Sequence, residues 1–191
     1  MKIFVIVNNY PQSTLPSHQG WYLLADSAMT NTGKPFFIPE NIGTVNAYLG
    51  IAIKISRLGK HIETKFAHRY YSEWAPVVHF VFKTVEERLG NDHLPLDASR
   101  SFDRSLFVGD FKPLEELDDI ALYKDGELKQ IFSMSKILSN PDEVIRNVSD
   151  INTLKIGDII VPALTEPTEV IIGNFLEVKK GDERLFHVKM K

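Results

Sequence analysis

Residues 45–62 read VNAYLGIAIKISRLGKHI. From 47 to 55 every odd position is apolar: Ala47, Leu49, Ile51, Ile53 and Ile55. The even positions are Tyr48, Gly50, Ala52 and Lys54. A period of two marks a strand with one face on a core. RLGKHI then supplies a turn, with Gly59 available for a positive φ.

Other short strands surround this one. KIFVIV at 2–7 ends at Asn8, Asn9 and Pro11. VVHFVF at 77–82 is rich in β-branched and aromatic residues. YKDGELKQ at 123–130 is a hairpin, because Asp-Gly suits a type I′ turn. LKIGDIIVP and FLEVKKGDERLFHVKM close the chain as strands, the last pair joined at Lys180-Gly181-Asp182. A helix starts at Asn140, with Pro141 at its first position and acids in its first turn, and runs to about Ser149. Residues 10–33, with PQSTLPSHQG at their start, have loop composition and read as a flap region. The predicted fold class is α+β: a mixed β-roll or β-sandwich of short strands with one or two short helices, in one domain over 1–191.

The totals narrow the function classes. The 191 residues are 43% hydrophobic and 25% charged, with a formal net charge of −3 and no cysteine. Disulfide scaffolds, thiolate metal sites and cysteine nucleophiles are excluded. No basic run argues for nucleic acid, and the longest apolar run is far below the roughly 18 residues of a membrane span. The expectation is a soluble, cytoplasmic protein. Tyr70, Tyr71 and Trp74 read as a packing or subunit-interface cluster rather than a stacking platform.

Several pieces in order resemble the fumarylacetoacetate hydrolase superfamily in its short single-domain form. They are Asn9-Tyr10, DSA at 26–28, GKPFFIP at 33–39, KISRLGKHIETKFAHRYYSE at 54–73, SFDRS within 101–105, VGDF at 108–111 and TLKIGDII at 153–160. The resemblance implies chemistry on 2-oxo, acylpyruvate-type acids: C–C hydrolysis, decarboxylation or isomerisation. It also implies a Mg²⁺ or Mn²⁺ ion held by a Glu-x-Glu pair on one strand and an Asp on its neighbour, and a His–Glu dyad near the N-terminus. Carboxylates two residues apart point to one face of a sheet.

In this sequence those metal positions fall on Tyr48, Gly50 and His79, and no acid occurs between Glu40 and Glu63. The dyad positions fall on Ser13 and Pro16, with His18 nearby and no Glu before Glu40. Elsewhere in the implied pocket stand Lys83, Glu86, Arg100 and Asp103, and PALT at 162–165 takes the place of a glycine-containing loop. A replacement metal site of His79 with Glu86, Asp97 and Asp103 lacks ligand spacing.

The expectation from these departures is a family member without its divalent-metal site or dyad. It would need no cofactor and act as a non-catalytic ligand-binding or structural partner. It would be a homodimer or be assembled with an active relative, with room for a small carboxylate ligand. The pocket candidates are His79, Lys83, Glu86, Arg100 and Asp103, with Lys83 and Arg100 the anion-binding groups. The alternative is an active hydrolase, decarboxylase or isomerase of 2-oxo acids with altered or metal-free chemistry. A third reading, an unrelated α+β binding module, would require a structure without the family's β-roll.

Overall fold

A computed structural model describes residues 1–11 and 18–191. The chain begins with β1 (Ile3–Val7), β2 (Gly20–Leu24) and the short β3 (Met29–Asn31). The long β4 (Val45–Ile55) turns through α1 (Thr64–Ala67) into the long β5 (Tyr71–Phe82). Two helices, α2 (Lys83–Asn91) and α3 (Asp97–Arg100), lead to β6 (Leu106–Val108) and β7 (Lys112–Pro113). The hairpin of β8 (Ile120–Lys124) and β9 (Glu127–Phe132) precedes α4 (Pro141–Ile151). Then come β10 (Ile159–Val161), β11 (Thr168–Val170), β12 (Phe175–Lys180) and β13 (Glu183–Lys189).

Among the described residues the strands form two sheets. The larger is mixed, in the order β2-β1-β10-β4-β5-β6-β3, with β11 also beside β4 and β7 beside β5. Its β1/β10 and β3/β6 pairs are parallel. The smaller is antiparallel, in the order β13-β12-β8-β9. This is the α+β architecture that the pattern of short strands predicts. Helices α2 and α3 exceed the one or two expected.

The period of two along β4 holds. Ala47, Leu49, Ile51, Ile53 and Ile55 pack with Phe4, Val78 and Phe80, and with Leu122, Phe132, Val178 and Val188 of the smaller sheet. Full burial of each large side chain contributes about 1.5–3 kcal/mol, so this face dominates the local energetics. The opposite face of the large sheet carries a second cluster of Ile3, Val5, Ala52, Val77 and Leu106.

Polar residues tie the pieces together. Asn9 is 1% exposed. Its amide donates to the carbonyls of Ser139 and Pro162 and accepts from Ser139 N and Gln19 Nε2, all at 2.7–2.9 Å. Tyr10 stacks on Phe132, donates to Ile131 O and accepts from Ser133 N. In GKHI the positive φ falls on His61, at 52°, not on Gly59. Gly59 is required for space instead, because a Cβ there would lie 2.5 Å from the Tyr70 ring. Asp158 accepts from Lys2 N and Lys155 N and pairs with the Lys2 ammonium at 3.0 Å. Asp125 and Gly126 both have positive φ, as a type I′ turn requires. Asn140 and Glu143 form a reciprocal capping box at the start of α4. The aromatic trio packs inward: Trp74 is fully buried and Tyr71 donates to Asp142. Of the region read as a flap, 20–24 and 29–31 are sheet strands paired with β1 and β6, while 12–17 lie outside the described residues.

A side chain from the smaller sheet helps to close a gap in the large sheet. On one edge β4 pairs with β10 at Ile53 and Lys54, and with β11 at residues 45–47. Between them, buried Gln130 reaches across from β9. It accepts from Leu49 N at 2.8 Å and Thr165 Oγ1 at 2.6 Å, and donates to Ala47 O at 2.9 Å and Thr168 Oγ1 at 2.7 Å. A buried polar group stripped of its partner costs far more than an average hydrogen bond. Gln130→Ala is expected to destabilise the protein by about 2–4 kcal/mol, read as a melting-temperature fall of roughly 10 °C. A loss below about 1 kcal/mol in urea unfolding would show that the threonines close the ladder without it.

Candidate active site

The register of β4 on β5 sets Tyr48 opposite His79 and Gly50 opposite Val77. These residues lie on the face turned away from the main core. On that side of the sheet is a cavity of about 620 Å³. Its walls include Asn8 at the end of β1, Tyr22 of β2, Tyr48 of β4, Glu86 of α2, Arg100 of α3 and Leu164 from the segment after β10.

Arg100 and Glu86 are brought together. Arg100 Nε donates to the Glu86 carboxylate, and both side chains are 24% exposed. The guanidinium carbon lies 4.8 Å from the centroid of the Tyr22 ring, a cation–π contact. The ion pair uses Nε and so leaves the two terminal amino groups for an acceptor in the cavity. Local packing explains the placement. Phe102 stacks on Phe82 with centroids 3.8 Å apart, and Ser101 Oγ accepts from Ala25 N at 2.8 Å. The short turn of α3 is thereby clamped between β5 and the segment after β2.

The two phenols are neutral donors. Burial pushes the Tyr48 hydroxyl up from its usual range, the Asn46 side chain and Arg100 pull it down, and Glu86 adds to the rise. Tyr22 is raised mainly by burial, against the pull of Arg100.

His79 is fully buried beside Tyr22, with ring centroids 6.0 Å apart. Its Nδ1 lies 3.0 Å from the Ser105 carbonyl, which can only accept, so Nδ1 carries the proton. Nε2 has no partner among the described residues. Burial lowers this imidazole to about 4, and nearby Arg100 adds to the fall while the Ser105 carbonyl opposes it. His79 is not a cavity wall, and neither are Lys83 or Asp103. Lys83 is exposed and sits 3.6 Å from Glu87 instead. Of the five pocket candidates, Glu86 and Arg100 meet in the cavity, and the other three do not. The dyad positions Ser13 and Pro16 lie outside the described residues. His18 is exposed, and its carbonyl accepts from the cavity residue Asn8.

Gly50 shows why the strand carries no carboxylate. A Cβ there would lie 2.5 Å from Ala163 O and 2.9 Å from Leu164 Cδ2. The segment after β10 passes directly over the glycine, with a bridge between Gly50 and Leu164 and Thr165 N donating to Leu49 O. The resemblance expects a glycine within 162–165, where PALT stands, but in this structure the close approach is met from the strand side by Gly50. At the three positions where the resemblance expects metal ligands stand a phenol (Tyr48), a bare backbone (Gly50) and a buried imidazole (His79). No cluster of three His, Asp or Glu suited to a metal exists among the described residues. These residues do not form the carboxylate shell that a hard divalent cation takes.

Comparison with known proteins fits this architecture. The sequence model for the fumarylacetoacetate (FAA) hydrolase C-terminal domain matches residues 4–162, and the chain belongs to that family. It is 25% identical over 185 residues to the mitochondrial oxaloacetate tautomerase of Bos taurus, covering 94% of this chain and 83% of that one. It is 24% identical over 173 residues to the mitochondrial oxaloacetate decarboxylase of Dictyostelium discoideum, covering 84% and 79%. The fold superposes on the crystal structure of fumarylpyruvate hydrolase from Pseudomonas aeruginosa in complex with Mn²⁺ and pyruvate. The TM-score is 0.89 and the identity 18%, over 100% of this chain and 89% of that one.

Two expectations are thereby corrected. The expected non-catalytic subunit gives way to membership of a family of enzymes, since the relatives matched over most of the chain are named as enzymes. The expectation that no cofactor is involved is overturned by the Mn²⁺ held on the same fold in the hydrolase. No helix among the described residues is long and apolar enough to cross a membrane.

Gly50→Ala is expected to cost about 1–3 kcal/mol in urea unfolding, because Ala163 O is backbone and cannot rotate away. An unchanged midpoint would show that residues 162–165 yield freely. His79 predicts a pH effect. Its unfolded imidazole binds a proton near pH 6.5 and the folded one near 4. Between these values the unfolded state binds more protons, so stability falls on acidification, by on the order of 3 kcal/mol across the window. His79→Gln should flatten the pH 4–6.5 part of a stability profile, and an unchanged slope would refute the buried neutral assignment.

Proposed function

We propose that this protein is an enzyme that tautomerises or decarboxylates a 2-oxo acid through an enolate. The observation that carries this reading is the Arg100 guanidinium, held at the cavity wall with its two terminal amino groups unused by Glu86 and two neutral phenols alongside. A guanidinium fork matches a carboxylate bidentately.

With the carboxylate on Arg100, the adjacent 2-oxo oxygen shares the cavity with the Tyr22 and Tyr48 side chains, which line the same walls. Loss of a C3 proton to solvent water, or of a carboxyl group on C3 as CO₂ while the C1 carboxylate stays on Arg100, leaves the bonding electron pair as an enolate with its negative charge on that oxygen. Fixed donors aimed at developing charge are worth more than donors that must reorganise. The raised pKa of both phenols keeps their protons available as hydrogen-bond donors. C–C hydrolysis needs an activated water as well, and no histidine lines the cavity among the described residues. The tautomerase and decarboxylase names of the curated relatives support the same choice. The family's divalent cation would supply Lewis-acid stabilisation of the same oxygen. Tyr48, Gly50 and His79 do not offer it carboxylates, and Arg100 with the two phenols carries the steps described.

The test is turnover of a panel of 2-oxo acids, with and without Mg²⁺ or Mn²⁺, by the wild type and by Arg100→Ala. Arg100→Ala is expected to lower kcat/KM by about 10²–10³-fold. No turnover of any 2-oxo acid by the wild type under either condition would overturn the proposal, as would a fully active Arg100→Ala.

A further inference from the structure

We infer that one end of the molecule, formed by the turns at 56–59 and 154–157 and by α1, docks on an anionic phospholipid bilayer.

Backbone bonds bring these segments together. Gly59 N donates to Leu154 O at 3.0 Å, and Leu154 N donates to Gly59 O at 2.8 Å. Ser56 N donates to Tyr70 O, just beyond α1, and His61 N donates to Ser149 O in α4. The first turn follows the C-terminal end of β4. At the usual rise per residue, Ile55 lies roughly 23 Å along that strand from Tyr48, so this surface is separate from the cavity.

Each segment presents a cation directly before a large apolar side chain. The pairs are Arg57-Leu58, Lys65-Phe66 and Lys155-Ile156. All six residues are exposed, Leu58 by 65% and Ile156 by 72%. Arg57, Lys60 and Lys155 make no ion pair among the described residues. Lys65 pairs with Glu63, and the Lys65 and Arg69 head groups lie 4.8 and 4.9 Å from the Phe66 ring centroid. Residues 57–69 hold four Lys or Arg against the single acid Glu63, in a chain whose formal net charge is −3. This end is thus opposite in sign to the chain as a whole.

Unpaired cations call for an anionic partner, and bare apolar tips call for a place out of water. A second copy joined by a two-fold contact would set these cations against their own counterparts. Protein interfaces gather apolar residues in a core and charges at a rim. Here a cation stands beside every apolar tip instead. A bilayer with anionic lipids meets that arrangement at each point. The tip enters the boundary between headgroups and acyl chains, and the neighbouring Lys or Arg stays level with the phosphates.

The test is cosedimentation of the full chain with vesicles of phosphatidylcholine alone and with vesicles of equimolar phosphatidylcholine and phosphatidylserine. The mixed vesicles are expected to bind the chain at least about tenfold more tightly, and added salt to weaken the contact. Two double variants locate it: Arg57→Glu with Lys155→Glu, and Leu58→Ser with Ile156→Ser. All four positions are exposed, so both variants should keep the melting temperature of the wild type. Each should lower binding to the mixed vesicles by at least about tenfold. A wild type with no preference for the mixed vesicles would overturn the inference, as would full affinity retained in both variants. Loss in the charge variant alone would overturn it in favour of an acidic protein surface, and loss in the serine variant alone in favour of an uncharged one.

Discussion

The antiparallel register of β4 on β5 governs everything else in the molecule. A strand has two faces and a period of two, so a slip of one residue would turn Leu49, Ile51 and Ile53 out of the core together. Burial of that row fixes the register with a free energy no polar contact approaches. Tyr48 and His79 are opposite each other as a consequence. The face that lines the cavity is thus set by the hydrophobic demand of the other face. Residues on it can change without loss of the architecture, and the superposition on fumarylpyruvate hydrolase at 18% identity shows how far such change can go.

Position 50 and the segment after β10 depend on each other. Pro162 O is held by Asn9, Thr165 by Leu49 and Gln130, and Thr168 by Gln130. With both ends anchored, Ala163 O and Leu164 lie where a Cβ on residue 50 would stand. A side chain at 50 would require the segment to move, and movement would break buried hydrogen bonds at both anchors. Gly50 and the segment 162–165 therefore form one packing unit, in which a side chain at 50 and the present path of the segment exclude each other.

Local signals were legible in the sequence and non-local ones were not. The alternation of β4, the Asp125-Gly126 turn and the Asn140 cap are each decided by residues within one turn or strand of one another, and all three stand. Gly59 was read as a conformational glycine because a turn follows it. Its actual constraint is the Tyr70 ring, which no local pattern announces. His79 and Lys83 were placed in the pocket by position along the chain, yet one is sealed beside Tyr22 and the other pairs on the surface. Tyr22 and Leu164 went unnoticed because an alternating edge strand and a proline-bounded loop give no sign of what they face. The expectation of a non-catalytic protein has the same origin: missing carboxylates are local features of the sequence, whereas the Arg100, Tyr22 and Tyr48 group is assembled from three separate elements.

That group has an internal logic. A lone guanidinium on a flexible side chain is a poor anchor, since ordering it costs side-chain entropy. Glu86 holds Nε and the Tyr22 ring lies against the guanidinium, so the arginine is ordered before any ligand arrives. Glu86 also lowers the net charge of the pair, so that what remains at the cavity wall is directional donor capacity more than raw positive charge. At an effective dielectric near 20, an ion contact at 4 Å is worth about 4 kcal/mol, and opposing carboxylates on the same walls offset part of it. On the proposed reading, such an arrangement suits orienting one carboxylate more than attracting anions in general. Orientation is what an enolate-forming reaction needs, because only a substrate held in one pose presents its oxo oxygen to the two phenols as charge develops there.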